Sequence, residues 1–394
     1  MSAPRILHLV NAFSVGGVEV LALELFRRLH PARFEVEVAC LKEPGTLAGE
    51  LAASGIRVES GFVRGRFDLF GAGRLARALA GRRFDLILVE PGRNALLLAG
   101  VARQVTGARA TVSWIHATGK WGRRSQFNGT ERRILRRLDA VVAIAESQRD
   151  HLVADEGLDP KNLVVIHNGV DAERFRPRPE ARSAARAALG IAPDEVAVGI
   201  VASLTPEKGH ALLVEAVARI ASPVDRPDAS MAGAPSAGAA SAPPRLRLLI
   251  IGEGPERAAI ESAIARAGLS SRATLLGLRR DLDAAVYPAL DIQALVSHPF
   301  RETLPISLME GMACGLPVIA TRVGSVADLV ADNETGTLVA PGDADALAAA
   351  LSALARDSAR RAALGRAGRK RIVARFSLDR MVESYASLFD RLAS

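Results

Sequence analysis

The sequence has few cysteines and no long apolar run. Its 394 residues include only Cys40 and Cys314, which stand in different halves of the chain inside apolar stretches. Their separation argues for reduced, buried thiols and against a disulfide framework, so we expect a cytoplasmic protein. No stretch reaches the roughly 18 uninterrupted apolar residues of a membrane-spanning helix. The short apolar run at the N-terminus leads into a Gly-Gly turn, which predicts a first strand and not a signal peptide.

Aromatic residues are also scarce, at 4% of the chain. This scarcity disfavours a surface that stacks the bases of a single-stranded nucleic acid, and we expect no nucleic-acid partner. No G-x-G-x-x-G loop follows the first strand, which disfavours a dinucleotide-dependent dehydrogenase. The net charge of +8 favours anionic partners without choosing among them.

What the chain does have is the composition of a globular protein, with 49% hydrophobic and 24% charged residues. It is too long for one ordinary core, so we expect two domains. Short apolar runs alternate with helical patterns, which is typical of βαβ units with parallel sheets. The predicted strands are residues 6–10, 34–41, 86–89, 110–114, 140–144, 163–166, 196–202, 246–251, 274–276, 292–296 and 317–320.

Two stretches interrupt the alternation. The segment RPRPEARS, residues 176–183, is rich in proline and charge, and we predict the domain linker there. Residues 222–244 are rich in Ala, Ser and Pro, and we predict a disordered surface insertion. An amphipathic helix is predicted at the C-terminus, over residues 376–392.

The most informative segment is HPFRETLPISLMEGMACGLPVIATRVGS, residues 298–325. A strand precedes it, Pro305 suits the first turn of a helix, and Gly315 with Pro317 indicates where that helix ends. In parallel sheets, ligands bind at the carboxyl ends of the strands. The free N–H groups at the start of the helix, residues 303–306, would suit a diphosphate there.

Glu302 and Glu310 flank the start of this helix. Carboxylates suit vicinal hydroxyls because each accepts two or more charge-assisted hydrogen bonds. Two such residues near a helix are usually surface charges, but Glu310 lies among apolar residues between apolar strands. We therefore predict a site for a sugar and a ribose.

With their flanking sequence, Glu302 and Glu310 resemble the E-x7-E motif of the family 4 retaining glycosyltransferases. The resemblance covers nearly the whole chain through ILHLVNAFSVGGVEV near the N-terminus, HNGVD at 167–171, SLTPEKGH at 203–210 and IGEGPE at 251–256. It implies the α/β GT-B fold, in which two Rossmann-like, doubly wound parallel-sheet domains face a cleft. The expected parts are an acceptor-binding domain (1–170), a nucleotide-sugar-binding domain (171–375) and a C-terminal helix (376–394) that packs back towards the first domain.

The resemblance implies transfer of a sugar from a nucleotide-diphosphate donor to a hydroxyl of a glycan or lipid-linked acceptor, with retained anomeric configuration. No cofactor and no metal are expected. The acceptor hydroxyl would attack on the face from which the nucleotide leaves, and the departing phosphate would take its proton. Bacterial surface polysaccharide or glycoconjugate synthesis is the implied setting. Asp281–Leu282–Asp283 resembles a metal-binding D-x-D triplet but lacks its context.

The family's donor-binding residues carry over to the C-terminal half. Lys208 would bind the donor diphosphate, since a flexible ammonium suits that task. Glu302 would hold hydroxyls of the donor sugar, and the backbone near Thr303 and Leu304 would hold phosphate oxygens. Glu310 would bind the ribose hydroxyls.

Three further positions carry over with less support from their residues alone. Gly16 and Gly17 resemble the loop that closes on the phosphates and acceptor, although most such pairs are simple turns. His116 would lie beside the reacting sugar, although a histidine after a strand is more often structural. Ser203 stands where the family commonly has an arginine, so the donor site would have one cation fewer.

Alternatives remain open for the basic segment and for the activity. Seven basic residues between Lys120 and Arg137 would suit a peripheral helix on an anionic membrane, or a solvated helix covering the core, which is slightly favoured. The rival activities are another GT-B enzyme, such as a nucleotide-sugar epimerase or a phosphorylase, and a non-catalytic nucleotide-sugar-binding subunit.

Overall fold

The computed structural model describes residues 3–14, 16–65, 68, 70–116, 126–221, 243–299 and 302–394. The chain divides into two compact units. Unit 1 comprises Met1–Gly169 and Phe376–Ser394, and unit 2 comprises Val170–Arg375. All but the last two residues of the predicted insertion at 222–244 lie outside the described residues.

Unit 1 is built on a seven-stranded sheet in which every pair of neighbours is parallel. Its strands are β1 (Arg5–Val10), β2 (Glu35–Cys40), β3 (Arg57–Ser60), β4 (Leu86–Val89), β5 (Ala110–Ile115), β6 (Ala140–Ala143) and β7 (Leu163–Val165). Their order is β3-β2-β1-β4-β5-β6-β7. The strand order reverses between β1 and β4, and this is where doubly wound sheets open a crevice.

The described part of unit 1 contains seven helices. They are α1 (Gly17–Leu29), α2 (Ala48–Ala53), α3 (Gly71–Leu79), α4 (Arg93–Thr106), α5 (Gly129–Leu135), α6 (Glu146–Ala154) and, from the end of the chain, α14 (Leu378–Ala393). The side chains of α14 join the aromatic core of the unit. The ring of Tyr385 lies 5.7 Å from Trp114, and the ring of Phe389 lies 5.8 Å from Phe34.

Unit 2 has the same architecture as unit 1 and is built on a six-stranded parallel sheet. Its strands are β8 (Val196–Val201), β9 (Leu246–Ile251), β10 (Ala273–Gly277), β11 (Ile292–Leu295), β12 (Val318–Thr321) and β13 (Thr337–Val339). The order is β10-β9-β8-β11-β12-β13. Its helices are α7 (Pro179–Ala188), α8 (His210–Ala221), α9 (Arg257–Arg266), α10 (Ile306–Ala313), α11 (Val326–Leu329), α12 (Ala344–Arg356) and α13 (Ser358–Arg375).

The predicted fold class is confirmed, because both units are Rossmann-like parallel sheets. Every predicted strand is present. The two strands that were not predicted, β3 and β13, are edge strands of four and three residues with mostly exposed or partly exposed positions, so neither has a long buried apolar run in the sequence. No helix within the described ranges is both long and apolar enough to span a bilayer.

The predicted linker at 176–183 is wrong. Most of this segment is the start of α7, with Pro179 in its first turn, where a missing N–H costs no hydrogen bond. Arg182 and Arg186 of α7 form ion pairs with Asp291, at 2.5 and 2.9 Å. Proline and charge therefore start and anchor a packed helix here, and the unit boundary falls at Gly169.

Close packing between α10 and α13 gives a stability prediction. A Cβ at Gly365 of α13 would overlap the carbonyl oxygen of Gly315, just beyond α10. We expect Gly365→Ala to lower the free energy of unfolding by about 1–3 kcal/mol, seen as a lower thermal midpoint. Gly100 of α4 is the matched control, because nothing lies within 4 Å of a Cβ placed there. Gly100→Ala should be neutral or stabilise by up to about 1 kcal/mol, and equal effects of the two changes would contradict the packing.

Candidate functional site

Two loops of unit 2 meet at the carboxyl edge of its sheet. β8 and β11 are parallel neighbours, and the strand order reverses between them. The loop after β8 carries Lys208, and the loop after β11 carries Glu302. The N–H of His298 donates to the carbonyl oxygen of Glu207 at 2.8 Å and joins the two loops. The crevice expected at such a strand reversal therefore lies beside these two side chains.

The structure brings Lys208 and Glu302 into direct contact. The Lys208 Nζ donates to Glu302 Oε2 at 2.7 Å, and the Ser297 hydroxyl donates to the same oxygen at 2.7 Å. The Glu302 side chain is only 8% exposed and that of Lys208 is 24% exposed. A diphosphate that binds the ammonium would therefore have to share it with, or take it from, Glu302.

Two glycines make room for these loops. Gly209 has φ +66° and follows Lys208, and a Cβ there would overlap the carbonyl oxygen of Val296. Gly324, with φ +50°, packs in the same way against the carbonyl oxygen of Glu302. Both combine a left-handed backbone with a contact that any side chain would block, so glycine is required at each.

The helix α10 begins one residue later than expected. Pro305 is its N-cap, with φ −72° and ψ 118°, and the helix starts at Ile306. The prediction of Pro305 inside the first turn is therefore wrong by one residue. Thr303 and Leu304 lie in the preceding turn and are 3% and 4% exposed. Their backbone role towards a phosphate stays a prediction.

Glu310 projects from α10 into a polar cluster of its own. The Tyr287 hydroxyl donates to Glu310 Oε2 at 2.8 Å. Burial raises the pKa of Glu310 to about 7, while the hydrogen bond from Tyr287 and the nearby charge of Arg174 act in the opposite direction. This carboxyl group therefore changes its charge near neutral pH.

Three residues of the site were not found from the sequence. They are Ser297, which donates to Glu302, Tyr287, which donates to Glu310, and Gln293, which donates to the carbonyl oxygen of Ser307 in α10. Ser297 could have been found, since it follows β11 in the same loop as Glu302. Tyr287 reaches Glu310, and Gln293 reaches α10, only through the packing of that helix on the sheet, for which the sequence offers no signal.

The described residues show no group of three or more His, Cys, Asp and Glu that could hold a metal ion. Both acids of the 281–283 triplet are engaged by arginines. Asp281 pairs with Arg279 at 2.5 Å, and Asp283 pairs with Arg174 at 3.2 Å. Ser203, the position of the missing family arginine, has its hydroxyl 3.4 Å from that of Thr205.

His116 lies in unit 1, directly after β5. Its ring packs edge-on against Trp114, with the ring centroids 4.8 Å apart. Burial lowers the pKa of His116 to about 4, with the Asn168 side chain acting in the opposite direction. The imidazole is therefore neutral near pH 7. His8 also packs edge-on against Trp114, with the ring centroids 5.4 Å apart, and burial lowers the pKa of His8 to about 3.

The Gly16–Gly17 turn starts α1, with Gly16 as its N-cap. The carboxylate of Glu19 occupies the space that a Cβ of residue 16 would fill. The start of α1 therefore already has a negative group beside it, which an incoming anion would have to displace. Glu90, directly after β4, is a second buried acid of unit 1, and burial raises its pKa to about 8 with a smaller contribution from Glu19.

Both halves of the chain match known protein families. The family described as "Glycosyltransferase Family 4" matches residues 15–174, and the family described as "Glycosyl transferases group 1" matches residues 181–371. The two matches together leave few residues of the chain uncovered. The chain belongs to glycosyltransferase family 4.

Relatives of this family 4 chain are similar over part of their length. A D-inositol 3-phosphate glycosyltransferase of Geodermatophilus obscurus is 33% identical over 268 residues, which make up 67% of the chain and 55% of that relative. The chain thus spans about half the length of the curated relatives it matches.

Two solved structures share the fold of the family 4 chain. Anabaena HepE, solved in complex with UDP and glucose, is 22% identical with a TM-score of 0.79, over 98% of this chain and 99% of HepE. A glycosyltransferase from Rickettsia africae is 20% identical with a TM-score of 0.82, over 100% of this chain and 99% of that protein. At this identity the likeness shows the fold alone.

The basic segment of the family 4 chain includes α5, which starts with a capping box formed by Asn128 and Glu131. Four arginines of this region line an open depression, namely Arg132, Arg133, Arg136 and Arg137. Arg136 also donates from Nε to the carbonyl oxygen of Gly157 at 2.7 Å. Residues 120–125, the start of the predicted membrane-binding segment, lie outside the described residues.

The pairing of Lys208 with Glu302 gives a prediction that needs no ligand. We expect Lys208→Ala to lower the free energy of unfolding by about 1–3 kcal/mol, because the nearly buried Glu302 loses its cation. The double variant Lys208→Ala/Glu302→Gln should recover most of this loss, because no uncompensated charge remains. Thermal midpoints near pH 7.5 give the measurement, and a double variant less stable than Lys208→Ala would contradict the pairing.

Proposed function

We propose that this chain transfers a sugar from a nucleoside diphosphate donor to an acceptor hydroxyl, with retention of configuration and without a metal. The observation that carries the proposal is the grouping of Lys208, Ser297 and Glu302 at the strand reversal of unit 2, with Glu310 on the helix that follows. Membership of the family supports the reaction class. Anabaena HepE, which shares the fold, is described in complex with UDP-glucose.

In this proposal the ammonium of Lys208 binds the diphosphate and stabilises the charge that develops as the glycosidic bond to phosphate breaks. Glu302, released from Lys208, accepts hydrogen bonds from sugar hydroxyls, and Glu310 accepts them from the ribose. The acceptor oxygen bonds to the anomeric carbon on the face from which the phosphate leaves, and that phosphate takes the hydroxyl proton. The protein supplies position and charge, and no covalent intermediate forms.

The remaining predicted residues have supporting roles in the proposal. The backbone near Thr303 and Leu304 binds phosphate oxygens, and Ser203 lies nearby on the loop after β8. The Gly16–Gly17 turn contacts the acceptor side, and the neutral His116 hydrogen-bonds to the transferred sugar. The acceptor is a glycan, a lipid-linked sugar or, as in the names of the curated relatives, an inositol phosphate. With a lipid-linked acceptor, the arginines of α5 would contact an anionic membrane at the cytoplasmic face.

A binding screen tests the donor site directly. Thermal midpoints are measured with UDP, GDP, ADP and their glucose, N-acetylglucosamine and mannose conjugates, since a ligand that binds only the native state stabilises it by about 2.7 kcal/mol at a hundred times its Kd. We expect one nucleotide series to raise the midpoint. Lys208→Ala and Glu310→Gln should each lose most of that rise relative to their own ligand-free midpoints.

Matched controls come from the same unit. Lys370→Ala and Glu261→Gln change exposed or surface-paired groups of α13 and α9. Both variants should respond to the nucleotide as the wild type does.

A second experiment separates the candidate activities. The protein is incubated with the identified donor and with acceptors, and NMR of the anomeric centre follows the product. Donor turnover without acceptor would favour an epimerase, a requirement for free phosphate would favour a phosphorylase, and binding without turnover would favour a non-catalytic subunit.

The pKa of Glu310 predicts how binding depends on pH. Because this pKa is about 7 and the ionised form accepts the ribose hydroxyls, nucleotide affinity should be constant above about pH 8 and fall by up to tenfold per unit well below pH 7. Titration calorimetry from pH 6 to pH 9 measures this. A Glu310→Gln variant should bind weakly with no such dependence.

In the ligand-free protein, Glu310→Gln should have the opposite effect: it should increase stability at pH 8, although it weakens nucleotide binding. A carboxyl group whose pKa is raised by folding destabilises the folded state once pH exceeds its unfolded pKa. Glu310→Gln should therefore raise the thermal midpoint of the free protein at pH 8 while it weakens nucleotide binding. A midpoint that falls at pH 8 would show that the carboxylate stabilises unit 2.

A further inference from the structure

Tyr287 is a buried residue of unit 2 whose hydroxyl has two acceptors within reach. It belongs to a helical turn, Tyr287–Ala289, that precedes β11, and its side chain is 1% exposed. The hydroxyl oxygen lies 2.8 Å from Glu310 Oε2 and 3.1 Å from the carbonyl oxygen of Ser307. A phenol has only one proton, so only one of these acceptors receives it.

The neighbouring amide decides which acceptor that is. The Gln293 Nε2 donates to the carbonyl oxygen of Ser307 at 2.7 Å, so this carbonyl already has a donor. A carboxylate is also the stronger acceptor, and its contact with the phenol is the shorter one. The phenol proton of Tyr287 therefore goes to Glu310.

The amide side chain of Gln293 packs directly against α10. A Cβ at position 311 would overlap Gln293 Oε1, so glycine at this position lets the helix pack over the amide. The amide donates to the carbonyl oxygen of Ser307 in the first turn of α10 and thereby links strand β11 to that helix.

The other charged groups around Glu310 act at longer range. Arg174 favours its ionised form and Asp283 disfavours it. Arg174 and Arg178 are paired with Asp283, at 3.2 and 3.4 Å. The thiol of Cys314 also lies near Glu310, and burial raises its pKa to about 12, so it stays neutral. Among these groups, Tyr287 is the one shown to donate a hydrogen bond to the carboxylate.

We propose that Tyr287 is a positioning residue for nucleotide binding, whose hydroxyl holds Glu310 through Oε2 and leaves Oε1 free to accept the ribose hydroxyls. This inference rests on the proposed function, in which Glu310 binds the ribose. It adds a residue on another element, outside the motif around Glu302 and Glu310. It also means that the contribution of Tyr287 to affinity should depend on the ribose hydroxyls of the nucleotide.

The test is Tyr287→Phe, which keeps the ring and removes only the hydroxyl. Affinity for UDP, GDP and ADP, and for the 2′-deoxy form of whichever binds, is measured from pH 6 to pH 9. At pH 7 we expect about tenfold weaker binding of the ribonucleotide, as for the loss of a hydrogen bond to a charged group. The pH midpoint of binding should move upwards, because the donor that favours the ionised form is gone. Binding should recover at pH 9.

A second comparison separates positioning from damage to the fold. In the Glu310→Gln background, Tyr287→Phe should cause much less additional loss, because the two residues act together. The chain has two tyrosines, and the other supplies the matched control. Tyr385 is buried in unit 1, and its hydroxyl has no hydrogen-bond partner in the described part of the chain. Tyr385→Phe should bind the nucleotide as the wild type does.

Three results would overturn the inference, and they are distinguishable. If Tyr287→Phe keeps the wild-type affinity and pH midpoint, the hydroxyl does not position Glu310. If it weakens binding equally at every pH and equally for ribose and deoxyribose, its role is structural. If the wild type binds none of the nucleotides, or if Glu310→Gln binds them as well as the wild type, the proposed function fails and the inference fails with it.

Discussion

The ion pair between Lys208 and Glu302 depends on the parallel pairing of β8 with β11. A parallel sheet places the carboxyl ends of all its strands at the same edge. Residues 94 positions apart in the chain therefore become neighbours without any local sequence signal that joins them. The ion pair then determines the electrostatic environment of the crevice. A cation that is three-quarters buried beside an almost fully buried carboxylate is stable only because each compensates the other. An anionic ligand that binds this ammonium would therefore have to share it with Glu302 or take it from that carboxylate.

Glu310 represents a different solution to the same problem of burying a charge. Among the described residues no cation contacts Glu310 directly. Burial raises its pKa to about 7, and the phenol hydrogen bond and the more distant Arg174 act in the opposite direction. Glu302 and Glu310, eight positions apart, thus differ in electrostatic character, because one is held by an ammonium and the other by neutral donors. This difference suits one carboxylate to a site beside a diphosphate and the other to neutral hydroxyls.

Unit 1 also contains titratable groups that are buried away from water. His8 and His116 both pack against Trp114, and burial keeps both imidazoles neutral near pH 7. Glu90 has a pKa of about 8 for the same reason. These three groups therefore carry little charge near pH 7, whereas the basic charge of the unit includes Arg132 and Arg133 of α5.

The sequence by itself determined the fold class, and it indicated the residues that the proposed reaction would use. Alternating apolar runs identified every strand with a buried core, and the spacing around Glu302 and Glu310 with its flanking residues indicated the family. The sequence misjudged residues 176–183, because proline and charge are typical of linkers and of helix starts alike. Only the tertiary structure decided which residues touch. The strand order brought Lys208 to Glu302, and the packing of α10 on β11 brought Tyr287 to Glu310, because such contacts depend on distances that no periodicity in a chain encodes.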